Sequence, residues 1–266
     1  MLERFNLKKN QFNRIKKSNY QTMMKKLVVM SVLLCIACHT TKIKNETYKI
    51  AVTSPELGSI GQSNKTNGIE NNFSVKAFPK LEKEIRVAIE VIPYNKHLNK
   101  IYASKAKYNQ NQTKVAYIDS LPQKPELVTI KVLDINGLAN ELNAAYNSDI
   151  ISLLQNTKKS QIVTSIAVSL SLDEISKIRH ADAYYLTNSQ NKRYQITLFK
   201  SGKKADIIDM NPETIVGYQS SIFCWAISPK RQWYVADIVT DNTNCKGNTK
   251  SIIPTDDKNN KSLFDM

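Results

Sequence analysis

The stretch QIVTSIAVSLSLDEISKIRHA, residues 161–181, decides the fold. Its first half alternates with period two. Ile162, Thr164, Ile166, Val168 and Leu170 share one face, and Val163, Ser165, Ala167 and Ser169 share the other, which is strand spacing. No charge falls in residues 161–170, so this strand suits the centre of a sheet. The second half changes period. Ser171-Leu172-Asp173-Glu174 is a capping box, in which the Ser171 hydroxyl accepts from the Glu174 amide and Glu174 reaches back. Leu172, Ile175 and Ile178 then form a helical apolar stripe, and the helix is expected to end near Ala181.

Working outward, the same alternation recurs. Ile85, Val87, Ile89 and Val91 oppose Arg86 and Glu90, and Val128, Ile130 and Val132 oppose Thr129 and Lys131. Half-buried alternation marks an antiparallel sheet with one wet face. Leu138, Leu142, Ala145, Ile150, Leu153 and Leu154 suggest one helical stretch or two short ones. Strands are expected at 184–186, 194–199, 206–209, 215–225 and 233–240. Ser201-Gly202 is the clearest hairpin signal between them. The expected class is α+β: mainly antiparallel sheet with two helices and a C-terminal β-meander. It forms a single domain over residues 81–252. Residues 38–80, polar and rich in Lys, Asn, Ser and Thr, read as a flexible tether with one short strand at 48–52. Residues 253–266 read as a polar tail.

The N-terminus carries an address. Met24-Lys25-Lys26 precedes an eleven-residue apolar run, Leu27 to Ala37, and then Cys38. A charged start, a short apolar run and a small residue before the cut make a secretion signal, residues 24–37. Eleven helical residues span about 16 Å, roughly half a bilayer core, so a transmembrane helix is the weaker reading. Residues 1–23 read as an upstream extension and stand apart from the fold.

The end of the signal, Cys35-Ile36-Ala37-Cys38, resembles the lipobox of bacterial lipoproteins. Cys35 stands where that family usually has Leu, so cleavage by an ordinary signal peptidase stays open. The resemblance covers residues 24–38. It implies a diacylglyceryl thioether on Cys38, a mature chain starting there, and attachment to a membrane through that lipid. Each buried methylene contributes about 0.8 kcal/mol, and two or more chains suffice for stable anchoring. His39, rather than Asp, follows the cysteine, and in that family this leans towards the outer membrane.

Secretion sets the redox compartment for Cys224 and Cys245. In an oxidising environment a pair of this kind is expected to bond, with a buried free thiol at Cys224 as the alternative. No metal site is expected from two cysteines this far apart.

Charge argues against nucleic acid. The chain is +15, but residues 1–37 hold eight basic residues and one acid, which leaves 30 basic and 22 acidic, a net of +8. Four of those bases are arginine: Arg86, Arg179, Arg193 and Arg231. Nucleic-acid readers cluster arginine for its planar fork, and here the bases are scattered lysines.

Catalytic motifs are missing from the sequence. The three histidines, His39, His97 and His180, have no partner at ligand spacing, and no P-loop, G-x-S-x-G or H-E-x-x-H occurs. His180 is expected to complement a helix C-terminus. Asp134, Glu141, Asp182, Asp206, Asp209 and Asp237 are the candidates for a carboxylate pair. Tyr184, Tyr185, Tyr194, Phe199, Tyr218, Phe223, Trp225, Trp233 and Tyr234 concentrate near the C-terminus; most are expected in the core, and any exposed rings offer a binding surface. The favoured function is a non-enzymatic envelope lipoprotein, needing no cofactor, that binds a protein or glycan partner or plays a structural part. The alternative is a lipid-anchored hydrolase acting on glycan or peptide through carboxylates.

Overall fold

The computed structural model describes residues 40–50, 55–66, 69–106, 117–118, 120, 124–189, 193–241 and 243–254. Residues 24–37, read above as a signal, Cys38, His39, the tip of the 188–191 turn and residues 255–266 lie outside that set. Every statement below concerns the described residues.

The uncharged stretch is the hub. β7 (Gln161–Val168) is buried along its whole length. β11 (Ile215–Ile227) runs antiparallel along it. β6 (Glu126–Val132) pairs with residues 165–168 of β7, and β3 (Ile60–Thr66) with residues 161–162. From β6 the sheet continues through β5 (Ile85–Pro93), β8 (Ala183–Asn188), β9 (Tyr194–Lys200) and β10 (Lys203–Asp209). β11 also carries β2 (Glu46–Lys49), which pairs with β1 (Thr40–Ile43), and β12 (Trp233–Thr240); β4 (Ile69–Ala77) pairs with β3. The class is α+β and mainly antiparallel.

Four α-helices accompany the sheet: α1 (Lys96–Ala106), α2 (Ile135–Asn143), α3 (Ser148–Asn156) and α4 (Leu172–His180). The stretch read as one helix or two is two, joined by a 3-10 turn at Ala145–Asn147. The capping box forms at Ser171, and Ala181 ends the helix. α1 is additional to the two expected helices. Its signal was present but short: Leu98, Ile101 and Tyr102 at helical spacing, with Asn95 Oδ1 accepting from the Leu98 amide as an N-cap.

Both faces of the sheet are covered at its middle, so β7 has no wet face. Val87, Val128, Ile130, Ile166 and Val168 enter one core with Leu138, Leu142, Ile175 and Ile178 of the helices. Ile92, Leu127, Ala167 and Val216 enter a second core beneath Ile43 and Tyr48 of the β1–β2 hairpin and Leu98, Ile101 and Tyr102 of α1.

Residues 40–80 correct the sequence reading. They are no flexible tether ahead of a domain starting at 81; they supply β1 to β4. Residues 55–61 are buried throughout. A few apolar anchors, Leu57, Ile60 and Phe73, reach the first core, and their polar neighbours hid them from a composition argument. The link from β4 to β5 has no strand partner, and its main chain is satisfied by side chains instead. Tyr194 donates to the Pro79 carbonyl. Asn147 bonds both the amide and the carbonyl of Lys80, at 2.9 and 2.8 Å. Asn188 does the same for Leu81. Glu141 accepts from the amides of Glu82 and Lys83, at 2.6 and 3.1 Å. Buried main-chain groups must find partners, and these come from residues 58 to 115 positions away.

The C-terminal strands form two antiparallel runs. β8, β9 and β10 make a meander, with Ser201 (φ 51°) and Gly202 (φ 74°) both left-handed as a two-residue hairpin requires. β11 then returns to the centre and forms a hairpin with β12. It buries Tyr218, Phe223 and Trp225 in one core and Val216 in the other, and a strand this apolar gains more at the centre than beside β10. Cys224 and Cys245 form a disulfide, Cα atoms 5.6 Å apart, that ties the chain after β12 back to β11.

Candidate functional site

The candidate carboxylates do not converge as a pair. Asp134 caps α2, accepting from the Gly137 amide at 2.7 Å. Glu141 is 3% exposed and also accepts from the Tyr146 hydroxyl at 2.6 Å. Asp182 accepts from the Ser201 amide, and Asp237 from that of Ile238. Asp206 accepts from the Ile207 amide and faces Lys177, and these contacts hold its carboxyl below the usual range. Each of these five serves local structure. Asp209, the sixth, lines a groove described below.

Neither described histidine joins them. His97 Nε2 lies 3.1 Å from the Lys42 carbonyl, and His180 Nδ1 lies 2.6 Å from that of Ser176, within the last turn of α4. Cys224 and Cys245 are bonded to each other and hold no thiol. Among the described residues no three His, Cys, Asp or Glu side chains gather closely enough to hold a metal ion. No described helix is long and apolar enough to cross a membrane. Most of the named rings fill space: Tyr194, Tyr218, Phe223 and Trp225 are buried, and Tyr184, Tyr185, Phe199 and Trp233 are half-buried. Tyr234, at 39%, is the exposed one.

The outer face of β8 to β10 is partly covered. On β8 to β10, Leu186, Ile196, Leu198 and Ile208 point into the first core. Strand alternation then sends their neighbours to the opposite face. There Tyr185 and Phe199 meet edge to face, ring centres 5.2 Å apart, and Thr187 bonds Thr197 at 2.8 Å. Beside this patch runs a groove of about 620 Å³. Its walls are Asn188 and Ser189 at the end of β8, Arg193 and Gln195 at the start of β9, and Lys204, Ile207 and Asp209 of β10. Gln195 and Asp209 are cross-strand partners.

Behind Arg193 stands a buried charge. Glu56, 6% exposed, places Oε1 3.9 Å from Arg193 Nε. Its Oε2 is buried with no hydrogen-bond partner among the described residues. Burial pushes its carboxyl above the usual range, and the Arg193 guanidinium opposes that. The groove therefore has two cations, Arg193 and Lys204, one carboxylate, Asp209, several amide and hydroxyl groups, and an apolar part made by Tyr194, Ile207 and Met210.

Sequence reasoning named Asp209 but not Arg193, Gln195 or Lys204 as groove residues. The signal was the period of two along β9 and β10, which sets Gln195, Ile207 and Asp209 on one face. Nothing local marked Glu56, whose partner lies 137 positions away by residue number. No family model, curated protein or solved structure matches this chain, so the groove stands on its own geometry.

Proposed function

We propose that this protein is a non-enzymatic lipoprotein of the bacterial envelope, anchored through lipid on Cys38, with the outer membrane as its address. Residues 24–38 carry that reading: a basic start, an apolar run too short to span, and a cysteine after Ala37. The partner site is the groove between β8 and β10, and its occupant is an anionic glycan. Arg193 and Lys204 outnumber the one groove carboxylate, Asp209, while Asn188, Ser189 and Gln195 supply hydrogen-bonding groups suited to a hydroxyl-rich ligand. A protein partner would need large buried anchors, and Ile207 and Met210 offer little for them.

Mass spectrometry of the mature N-terminus tests the anchor. The expected result is an acylated Cys38, with Cys38→Ser released from washed membranes into the soluble fraction. A Cys38→Ser protein that stays as firmly attached overturns the reading. For the groove, the detergent-solubilised protein is expected to bind an anionic polysaccharide column and Arg193→Ala to elute at lower salt. Equal elution removes the groove from the proposal.

A further inference from the structure

The folded body starts almost at the anchor. One residue, His39, stands between Cys38 and Thr40, the first residue of β1. Two residue steps reach about 7 Å at most. A flexible tether of some forty residues would instead give an average span of roughly 35 Å. The difference decides the electrostatics, because attraction to a charged surface fades over a Debye length of about 8–10 Å at physiological salt. This inference rests on acylation of Cys38, proposed above.

What surrounds β1 is basic. The β1–β2 hairpin turns at Lys44 and Asn45, with Lys44 at φ 53°. α1 lies alongside, since His97 Nε2 is 3.1 Å from the Lys42 carbonyl. The α1 sequence, KHLNKIYASKA, has three lysines and no acid. Hairpin and helix share one apolar underside, the second core, so their other sides face outward. Lys42, Lys44, Lys96 and Lys100 are exposed there. Two acids stand nearby: Glu90 meets Lys44, and Glu46 meets Lys131 at 2.6 Å.

We infer that the β1–β2 hairpin and the first turns of α1 form a docking face for an anionic bilayer surface. The acyl chains on Cys38 set its distance, and its lysines set its orientation. A lipid anchor alone would hold the body near the membrane in any attitude. Lysines gathered on the hairpin and on α1 select one, because each is drawn to anionic headgroups while within a Debye length of them.

Lysine footprinting tests the face. The acylated full-length protein is reconstituted into phosphatidylcholine–phosphatidylglycerol vesicles and treated with a water-soluble acetylating reagent, and each lysine is followed by mass spectrometry. Lys42, Lys44, Lys96 and Lys100 are expected to react several-fold more slowly on vesicles than in detergent. Lys200 and Lys203, on the hairpin at the far end of the sheet, serve as controls and keep their rates. Pure phosphatidylcholine or high salt is expected to remove the protection. Unchanged rates at the four lysines, with the acyl mass on Cys38 confirmed, overturn the docking face and leave the anchor standing. Equal slowing at the controls overturns it too, since the shielding would then favour no face. A Cys38 without acyl mass, in a protein that stays in the supernatant, overturns anchor and face together.

Discussion

Glu56 sits in the buried turn that also holds Gly58, where φ is +80° and a Cβ would lie 2.7 Å from the Tyr194 ring. The turn is so tight that a carboxylate is carried into the interior with only a distant guanidinium to answer it. Its pKa is raised by burial, so the folded state holds the proton more tightly than the unfolded chain does. The sign follows from linkage. The contribution of Glu56 is most favourable below the unfolded carboxyl pKa of about 4.3, and it is lost as pH rises through the folded value. Glu56→Gln removes the buried charge and is expected to stabilise at pH 7 by about 1–2 kcal/mol, a few degrees in Tm. At pH 4 the two melting curves should coincide. A variant that melts lower than the parent at pH 7 would show that the Arg193 pairing outweighs desolvation.

Between elements, the link from β4 to β5 is held by amide side chains acting as short pieces of strand. Asn147, 2% exposed, bonds Lys80 twice and also donates to the Glu141 carbonyl at 2.8 Å. Removing it leaves buried main-chain groups unpaired, which costs more than the bonds themselves. Asn147→Ala is expected to lose about 2–3 kcal/mol in urea unfolding. Asn147→Asp keeps the oxygen but not the donors and should fall between the two. A loss for Asn147→Ala no larger than that of an exposed asparagine would show the link is not clamped. Asn143 repeats the device on β12, bonding the amide and carbonyl of Val235 at 2.9 and 2.8 Å. There it satisfies main-chain groups of a strand whose one ladder partner is β11. No spacing rule marks such asparagines, because their partners lie 67 and 92 positions away.

For the molecule as a whole, the disulfide closes the C-terminal hairpin. Cys224 and Cys245 are 21 positions apart, and a loop of that length gives about 3 kcal/mol in the chain-entropy model. Reduction, or Cys224→Ala with Cys245→Ala, should lower Tm by several degrees, and a scan unchanged by reductant would refute this. Cysteine count and the expectation of secretion made the pair legible in advance. Strand alternation and the Ser171 capping box likewise fixed the central strand, the helix behind it and the α+β class, because these are local: each depends on residues within one or two turns. Only the tertiary structure decided that residues 40–80 belong to the sheet, that β11 leaves the meander for the centre, and that Glu56 stands behind Arg193. Those outcomes turn on burial against partners distant in sequence. A polar stretch with three well-placed apolar anchors reads as a tether until the surface that covers them is folded around it.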